Sequence, residues 1–333
     1  MERVLSNVAS ARAAISALCV PKTSSVLIAW PNRLNVSGMA LESNPRAAFK
    51  MSTEQERLMP PSGKPLIVHV VVNIEYWPYD QPTPRSIVIP PHGRYHVPDL
   101  PNFCWSEYGN RCGIPRLLKL FDGYKIPVSA SINASVLDVY PTLARAVRDA
   151  GWEFVGHGIH QRGLGAETDE HKLIVEAVEK LQAFTGKRIR GWMSPGWSET
   201  FDTLDHLRAA GIEYVCQWVI DDIPTPLKTK FGDMISVPYG LDLNDSVIYA
   251  IEKHSTPEMK LRIEQAIRTF EREIREFGQP RVLTIPLHPH LSGVAHRINF
   301  LTEIVEGLRA RSDTVFMNGS QITDWYLSQR KTA

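Results

Sequence analysis

The stretch Leu66–Val72, which reads LIVHVVV, decides the fold of this chain. A short run of mostly β-branched residues, apolar on both faces, is typical of a strand buried in a parallel sheet. Further strands are predicted at 127–132, 153–155, 189–193, 214–219, 236–238 and 282–287. Helical spacing of apolar residues separates or follows them, at 114–124, 140–150, 167–184, 201–210, 257–277 and 298–310. Strand alternating with helix predicts a parallel sheet covered by helices.

The number of strand–helix units also indicates that the sheet closes into a barrel. About seven strand–helix units can close into an irregular (β/α)7-type barrel, which avoids the two open edges of a flat sheet. In barrels of this class the chemistry lies where strands end and loops begin. Any predicted site residue should therefore follow a strand. The long proline-rich loop at 78–101 is also expected to bind or cover something, because such loops are uncommon otherwise.

Composition excludes several classes of function. The chain has 37 Lys and Arg against 36 Asp and Glu, and this balance argues against a nucleic-acid partner. No apolar run reaches the roughly 18 residues that cross a bilayer, so no membrane partner is predicted. The four cysteines (Cys19, Cys104, Cys112 and Cys216) lack paired metal spacing and are expected to be reduced thiols. We therefore expect a cytoplasmic protein.

The first fifty residues differ from the rest of the chain, with six basic and two acidic side chains. Such an acid-poor segment is one feature of a transit peptide; an alternative is that translation begins at Met51. The sequence MPPSG at Met59–Gly63 is typical of a linker. We predict that residues 1–62 are a disordered leader or an over-long gene start, and that residues 63–330 form a single catalytic barrel.

Polar side chains follow the first and third predicted strands. Glu75 follows the first, where a carboxylate can bind a metal or act as a general base; a loop ion pair is the alternative interpretation. His157 and His160 follow the third and can converge with Glu75 on one cation. Histidines at this spacing also occur by chance on protein surfaces.

Two tryptophan-containing segments, WMSPGW at Trp192–Trp197 and WVIDDIP at Trp218–Pro224, follow later strands. Exposed tryptophans beside rigid turns suit a wall for a small flat ligand, although core aromatics beside ordinary turns are the alternative. The adjacent carboxylates Asp221 and Asp222 repel one another, so one of them needs a cation or a raised pKa. We assign to substrate binding Trp192, Ser194, Pro195, Gly196, Trp218 and Asp221, together with Asn73 from the first cluster.

The last cluster, LHPHLSG at Leu287–Gly293, follows the final predicted barrel strand. A histidine at a strand end, held by a proline, suits general acid catalysis near neutral pH, and His288 is that candidate. A buried core histidine is the alternative. His290 and Arg297 are candidate substrate ligands, since the arginine can bind a carboxylate or carbonyl oxygen.

Taken in order, these motifs resemble the polysaccharide deacetylase (NodB-homology) family over residues 65–328. The likeness is greatest to its cytoplasmic subgroup, which includes cofactor-independent allantoinases and peptidoglycan deacetylase-like proteins. The resemblance implies a barrel of the glycoside hydrolase/deacetylase kind, hydrolysis of a non-peptide C–N bond and homo-oligomers, commonly tetramers. It also implies that His288 is the general acid and that Asp222 lines the same pocket as Glu75.

The chain departs from the family pattern at four positions. Asn73 and Glu75 stand where the family usually has two aspartates, and Gln161 stands where it usually has its second ligand histidine. Met193 stands where an orienting arginine is common. Two mechanisms follow: a divalent metal, zinc in the first place, held by Glu75, His157 and His160, or direct activation of water by Glu75 or Asp222.

The sequence therefore predicts a C–N hydrolase acting on an N-acetylated sugar, a ureide or another small amide. The alternative from a different class is a non-catalytic barrel that binds a carbohydrate or metabolite, which Asn73 and Met193 favour. The geometric expectation common to both mechanisms is that Glu75, His157, Asp222 and His288 share one cavity.

Overall fold

The predicted first strand lies at the centre of the sheet. In the computed structural model, which describes residues 43–85, 96–166 and 169–330, this strand is β1, and every residue in it is buried. The strands are β1 (Leu66–Ile74), β2 (Val128–Ile132), β3 (Glu153–Gly156), β4 (Gly191–Trp192), β5 (Tyr214–Val215), β6 (Thr225–Leu227), β7 (Met234–Ser236), β8 (Arg281–Leu287) and β9 (Thr314–Phe316). They form one sheet in the order β6-β7-β5-β4-β3-β2-β1-β8, with β9 also paired to β1.

The helices alternate with these strands as the sequence predicts. They are α1 (Leu100–Tyr108), α2 (Ile114–Gly123), α3 (Val136–Val139), α4 (Pro141–Asp149), α5 (Glu170–Thr185), α6 (Thr203–Ala209), α7 (Glu258–Phe277), α8 (Ile298–Arg309) and α9 (Gly319–Arg330). Short π-helical segments occupy Gly109–Gly113 and Ser246–Ile251. None of the helices that the structure describes is long and apolar enough to cross a membrane.

The register of the sheet brings the carboxyl ends of its strands together. All pairs are parallel except β6–β7. On the far side of β8, the Val282 amide donates to the Asp222 carbonyl at 2.9 Å, and the Thr284 hydroxyl donates to the Pro238 carbonyl. These irregular contacts link β8 to the other end of the sheet. The predicted irregular α/β barrel is confirmed.

Several elements differ from the predicted ones. Strands β4 and β5 are shorter than predicted, because the residues that follow them turn into loops. Strands β6 and β9 and helices α1 and α9 were not predicted. Helix α1 lies partly inside the loop predicted at 78–101, of which residues 86–95 lie outside the described part. The cysteines at 104, 112 and 216 are free thiols, whereas Cys19 lies outside the described residues.

Residues 43–62 lie against the barrel. Arg46 binds the Asp205 carboxylate on α6 through two hydrogen bonds of 2.8 Å. The Leu58 amide donates to the Gln279 side chain, and the Trp325 indole donates to the Met59 carbonyl. These contacts fall within the predicted leader, whose residues 1–42 lie outside the described part of the chain.

Candidate active site

One cavity at the carboxyl ends of β1, β3 and β8 contains most of the chemistry. Its volume is about 230 Å³. The polar residues that line it are Asn73, Glu75, Arg85, His157, Gln161, Tyr239, Asn244, Ser246 and His288; Met193, Gly196, Trp197, Leu241, Val247 and Ile251 complete the wall. Glu75, His157 and His288 each follow the last residue of their strand directly. The parallel register therefore brings together residues that are far apart along the chain.

The Glu75 carboxylate is buried and held at both oxygens. Its Oε2 accepts a hydrogen bond of 2.7 Å from the Trp77 indole. Its Oε1 lies 3.9 Å from His157 Nε2 and 3.6 Å from His288 Nε2. Burial raises the pKa of Glu75, but the two imidazoles lower it by a larger amount. The net pKa therefore lies well below the usual range. Glu75 is therefore ionised at neutral pH.

The tautomer of His157 is set by its backbone partner. His157 Nδ1 lies 2.6 Å from the Met193 carbonyl oxygen, which can only accept, so Nδ1 carries the proton. In the neutral form of the ring Nε2 is an acceptor, and among the described residues it is buried without a hydrogen-bond partner. Asn133, after β2, fixes this region because it accepts from the Tyr76 amide and donates to the His157 carbonyl.

His288 is held by a carboxylate that sequence reasoning did not single out. Asp245 Oδ1 lies 2.7 Å from His288 Nδ1, and Asp245 Oδ2 accepts from the His288 amide and the Ser292 hydroxyl. Burial lowers the pKa of His288, but Asp245 and Glu75 raise it, and the result is about 9. At neutral pH the ring is therefore an imidazolium whose Nε2–H faces Glu75.

Asn73 and Met193 have structural partners here. The Asn73 amide nitrogen donates to the Tyr239 hydroxyl at 2.9 Å and to the Leu287 carbonyl at 3.3 Å. Met193 supplies the carbonyl that orients His157. Both residues line the cavity, so the two departures from the family pattern occur in its wall.

The residues do not fit the divalent metal that the family resemblance implies. Within the described ranges, no three His, Cys, Asp or Glu side chains are grouped so that they could hold a metal ion. Glu75 and His157 face one another, whereas His160 lines a neighbouring cavity. Gln161 and Asn73 offer amides where the family has an imidazole and a carboxylate. The predicted ligand set Glu75, His157 and His160 is not assembled, and we derive no step through a metal.

The two tryptophans that we assigned to substrate binding, Trp192 and Trp218, do not line this cavity. Trp192 is fully buried in the core, and its indole donates to Ser194 at 3.1 Å. The Ser194 hydroxyl and the Trp218 indole both donate to the Glu199 carboxylate, at 2.6 and 2.8 Å. These side chains are therefore partners of one another within the fold. Pro195 is buried, and of the WMSPGW segment Met193, Gly196 and Trp197 line the cavity.

Asp221 and Asp222 lie away from Glu75. Both line a different cavity, which the side of α7 covers. The Asp222 carbonyl accepts from Val282 at the start of β8, whereas His288 follows the end of that strand. At about 3.3 Å per residue the two ends are about 20 Å apart. The structure thus corrects the expectation that Asp222 shares the cavity of Glu75.

The last two predicted substrate ligands, His290 and Arg297, lie in different surroundings. His290 lines a second cavity of about 670 Å³ that shares Glu75, Arg85, Gln161, Gly196 and His288 with the first. Arg297 lines neither: its guanidinium donates to the Leu291 carbonyl at 3.1 Å and stacks 3.9 Å over the Tyr249 ring. Arg297 therefore supports the loop that carries His288.

Sequence reasoning missed three residues that matter here. Asp245 lies in a loop segment without a strand before it, and Trp77 is recognisable only as the residue two positions after Glu75. Arg85 lies in the proline-rich loop, and no sequence pattern connects it to Glu75. Only the tertiary structure shows that a buried acid lies next to a histidine at a strand end.

Comparison with known proteins agrees with this fold and with the predicted resemblance. The sequence model of the polysaccharide deacetylase family matches residues 105–215. A peptidoglycan deacetylase of Helicobacter pylori is 29% identical over 157 residues, which are 46% of this chain and 53% of that protein. A putative polysaccharide deacetylase of Schizosaccharomyces pombe is 27% identical over 244 residues, 65% of this chain and 73% of that protein.

The crystal structure of the allantoinase Puue has a similar fold, with a TM-score of 0.72 at 21% sequence identity, covering 86% of this chain and 98% of that one. The fold and the site thus place the chain in the class of α/β barrels that carry carboxylate and imidazole groups at their strand ends. The chain carries a polysaccharide deacetylase domain, and the predicted family is confirmed. The match spans about half of the Helicobacter protein.

Proposed function

We propose that the protein is a hydrolase that cleaves a non-peptide C–N bond in a small amide. The observation that supports this most directly is the meeting of Glu75, His157 and His288 at one cavity. An ionised carboxylate and an imidazolium supply the acceptor and donor that amide hydrolysis needs, and the neutral form of His157 adds a second acceptor. Candidate substrates are an N-acetylated sugar, a ureide and another cyclic or acyclic amide.

The first chemical step is attack by water. Glu75 Oε1 and His157 Nε2 are both acceptors and are 3.9 Å apart, a spacing that one water molecule can bridge by donating a hydrogen bond to each. The water oxygen then attacks the amide carbonyl carbon while its proton passes to Glu75. The C–O bond forms, and the carbonyl electrons move onto oxygen to give a tetrahedral oxyanion.

The second step is departure of nitrogen. His288 Nε2–H donates its proton to the amide nitrogen, and the C–N bond breaks with its electron pair on nitrogen. The products are an amine and a carboxylic acid. Asp245 stabilises the imidazolium before the transfer and keeps Nδ1 protonated afterwards. After the products leave, the proton on Glu75 passes to His288 Nε2, which lies 3.6 Å from Glu75 Oε1, and the ionised carboxylate and the imidazolium are restored.

The size of the site favours a compact substrate. The catalytic cavity measures about 230 Å³ and the one beside it about 670 Å³. The first is slightly smaller than the about 300–1,000 Å³ of small-molecule sites, and the second lies within that range. A monosaccharide or ureide fits this space better than a polymer chain. Carbohydrate or small-amide substrates are therefore the first to test.

A panel of acetylated sugars, ureides and cyclic amides tests the proposal. Release of amine or acid should be detected for at least one member, and Glu75→Gln should abolish it. Failure of the whole panel with a folded protein would contradict the proposal. The metal question is tested on the same samples: after chelation and dialysis, activity is expected to persist while metal content falls to zero. Loss of activity with recovery on adding zinc would favour the metal mechanism.

The alternative is a barrel that binds a carbohydrate or metabolite without turnover. It is favoured by Asn73, whose amide is occupied by Tyr239 and Leu287 where the family usually has a carboxylate. His288→Ala separates the two functions, because it should remove turnover from an enzyme and leave binding largely unchanged in a binding protein.

We also retain two proposals about the protein's setting. A homo-oligomer, a tetramer in the first place, is implied by the family resemblance, and light scattering on the full chain tests it. A cytoplasmic location, without a nucleic-acid or membrane partner, is tested by fractionating cells.

A further inference from the structure

The second cavity opens beside the catalytic cavity and has a distinct charge. Its polar lining residues are Glu75, Gln81, Arg85, His160, Gln161, Arg162, Ser198, His288 and His290. Among the described residues, Glu75 is the one acid in that wall, and it lies at the boundary with the catalytic cavity. Arg85 and the His288 imidazolium outnumber this one carboxylate in the wall and give the second cavity a positive potential.

Arg85 is the residue that lines both cavities with a permanent positive charge. Within the described part of the chain, its guanidinium has no hydrogen bond and no carboxylate within ion-pair distance, although Glu75 lines the same walls. An arginine that faces a cavity without a protein partner can bind an anionic group through a planar fork of donors.

Two imidazoles complete the second cavity. His290 is 4% exposed, and its Nε2 is buried without a hydrogen-bond partner, as is Nε2 of His160. Buried polar atoms normally have partners, so unpaired ones in a cavity wall point to a ligand or ordered water. Burial, and next the charge of His288, lower the pKa of His290 to about 4, so this ring is a neutral hydrogen-bonding group at pH 7.

We infer that the substrate carries a carboxylate or phosphate group away from the scissile amide, and that Arg85, with His290 beside it, binds this group in the second cavity. The inference rests on the proposed hydrolase function and narrows its substrate class to anionic amides. The amide would lie between Glu75 and His288, which border both cavities, while the charged group extends towards Arg85.

The test compares substrates in matched pairs. N-acetylglucosamine is compared with N-acetylmuramic acid and with N-acetylglucosamine 6-phosphate. These two keep the same acetamide and add a carboxylate or a phosphate elsewhere on the sugar. Hydrolysis is measured as kcat/KM and binding by calorimetry. The charged member of at least one pair should be favoured about 10- to 100-fold, and the carboxylate and phosphate arms identify which anion is bound.

Variants of the full chain identify the residue responsible. Arg85→Gln should reduce that preference to near one, because kcat/KM falls far more for the charged member than for the neutral member. The control Arg272→Gln removes an equal charge from an exposed position on α7 and should keep the preference. A positioning role for His290 is tested by His290→Asn, which should raise KM for the charged member more than it lowers kcat.

The outcomes separate this inference from the proposed function. Hydrolysis of neutral members without charge preference contradicts the anion site and leaves the hydrolase standing. An equal loss on both members in Arg85→Gln also contradicts it, because Arg85 would then act on the reacting amide. Absence of both hydrolysis and binding across every pair contradicts the inference and the proposed function together.

Discussion

At the residue scale, the two oxygens of Glu75 have different surroundings. Oε2 is occupied by the Trp77 indole, whereas Oε1 faces His157 and His288. The oxygen that faces the cavity is thus the one that remains available to accept a proton. Its neighbours are His157 Nε2, which accepts when that ring is neutral, and the donor at His288 Nε2. Acid–base catalysis requires such a donor beside the base.

Glu75→Gln keeps the size of this side chain and removes the base. We expect kcat/KM to fall by about 10²- to 10⁴-fold, measured on whichever panel substrate is hydrolysed. The matched control is Asp222→Asn, an equivalent carboxylate-to-amide change near the start of β8, which should alter kcat/KM by less than about twofold. If both changes abolish activity equally, the placement of the site around Glu75 is contradicted.

Asp245→Asn tests the origin of the high pKa of His288. In the wild type, kcat/KM should fall as the pH rises through about 9, where His288 loses its proton. The variant lacks the charge that raises this pKa, so the alkaline limb should move to lower pH. An NMR titration of the imidazole gives the same shift directly. An unchanged alkaline limb would show that another group is the acid.

The same pKa has a consequence for stability. The pKa of His288 is raised in the folded state from 6.5 to about 9. Its contribution to the free energy of unfolding is therefore fully present below pH 6.5 and is lost as the pH rises through 9.

At the element scale, the loop after β8 is held by the π-helical segment Gly109–Gly113. A Cβ at Gly113 would lie 2.3 Å from the Pro289 carbonyl oxygen, and one at Gly109 would lie 2.4 Å from the His290 amide nitrogen. These contacts require glycine because the neighbouring atoms are backbone. The close approach fixes the loop that carries His288 and His290.

Gly113→Ala is therefore expected to displace this loop. Unfolding free energy should fall by about 1–3 kcal/mol, and kcat/KM should fall further than the loss of folded protein accounts for. The control is Gly123→Ala at the end of α2, where nothing lies within 4 Å of the added Cβ. Thermal denaturation and kinetics on both variants provide the comparison; equal behaviour would contradict a positioning role for the π-helical segment.

At the scale of the whole molecule, residues 43–62 contribute to the barrel's stability. Arg46 and Asp205 form an ion pair whose carboxylate is 2% exposed, and Lys230 is a second cation at 3.2 Å from it. The hydrogen bonds of Arg46 lower the pKa of Asp205 below its usual range. This contribution to stability is present above the carboxyl's unfolded pKa and is lost as the pH falls through its folded value.

Arg46→Met should lower the free energy of unfolding by about 1–3 kcal/mol at pH 7, since Lys230 remains to compensate part of the buried charge. The difference from wild type should shrink as the pH falls below about 3, where Asp205 is protonated in the unfolded chain. Arg268→Met, at an exposed position on α7, serves as the control. Denaturant unfolding at several pH values checks both; no loss in Arg46→Met would show that residues 43–62 add little.

The sequence alone determined the order of strands and helices, the barrel class and the family. The first strand was a local run of β-branched residues, and the strands that end at 74, 156 and 287 are each followed directly by a polar residue, so Glu75, His157 and His288 were predictable. Local patterns hold this information because strand burial and loop chemistry are set by neighbouring residues.

Only the tertiary structure decided which clusters share a cavity. Asp222 follows the predicted strand at 214–219 in sequence but lies near the start of β8 in space, because strand β5 ends early and its continuation turns along the side of the barrel. Asp245 and Arg85 reached the site from loops without a periodic signal. Long-range register and loop conformation place such residues, and neither can be read from a local pattern.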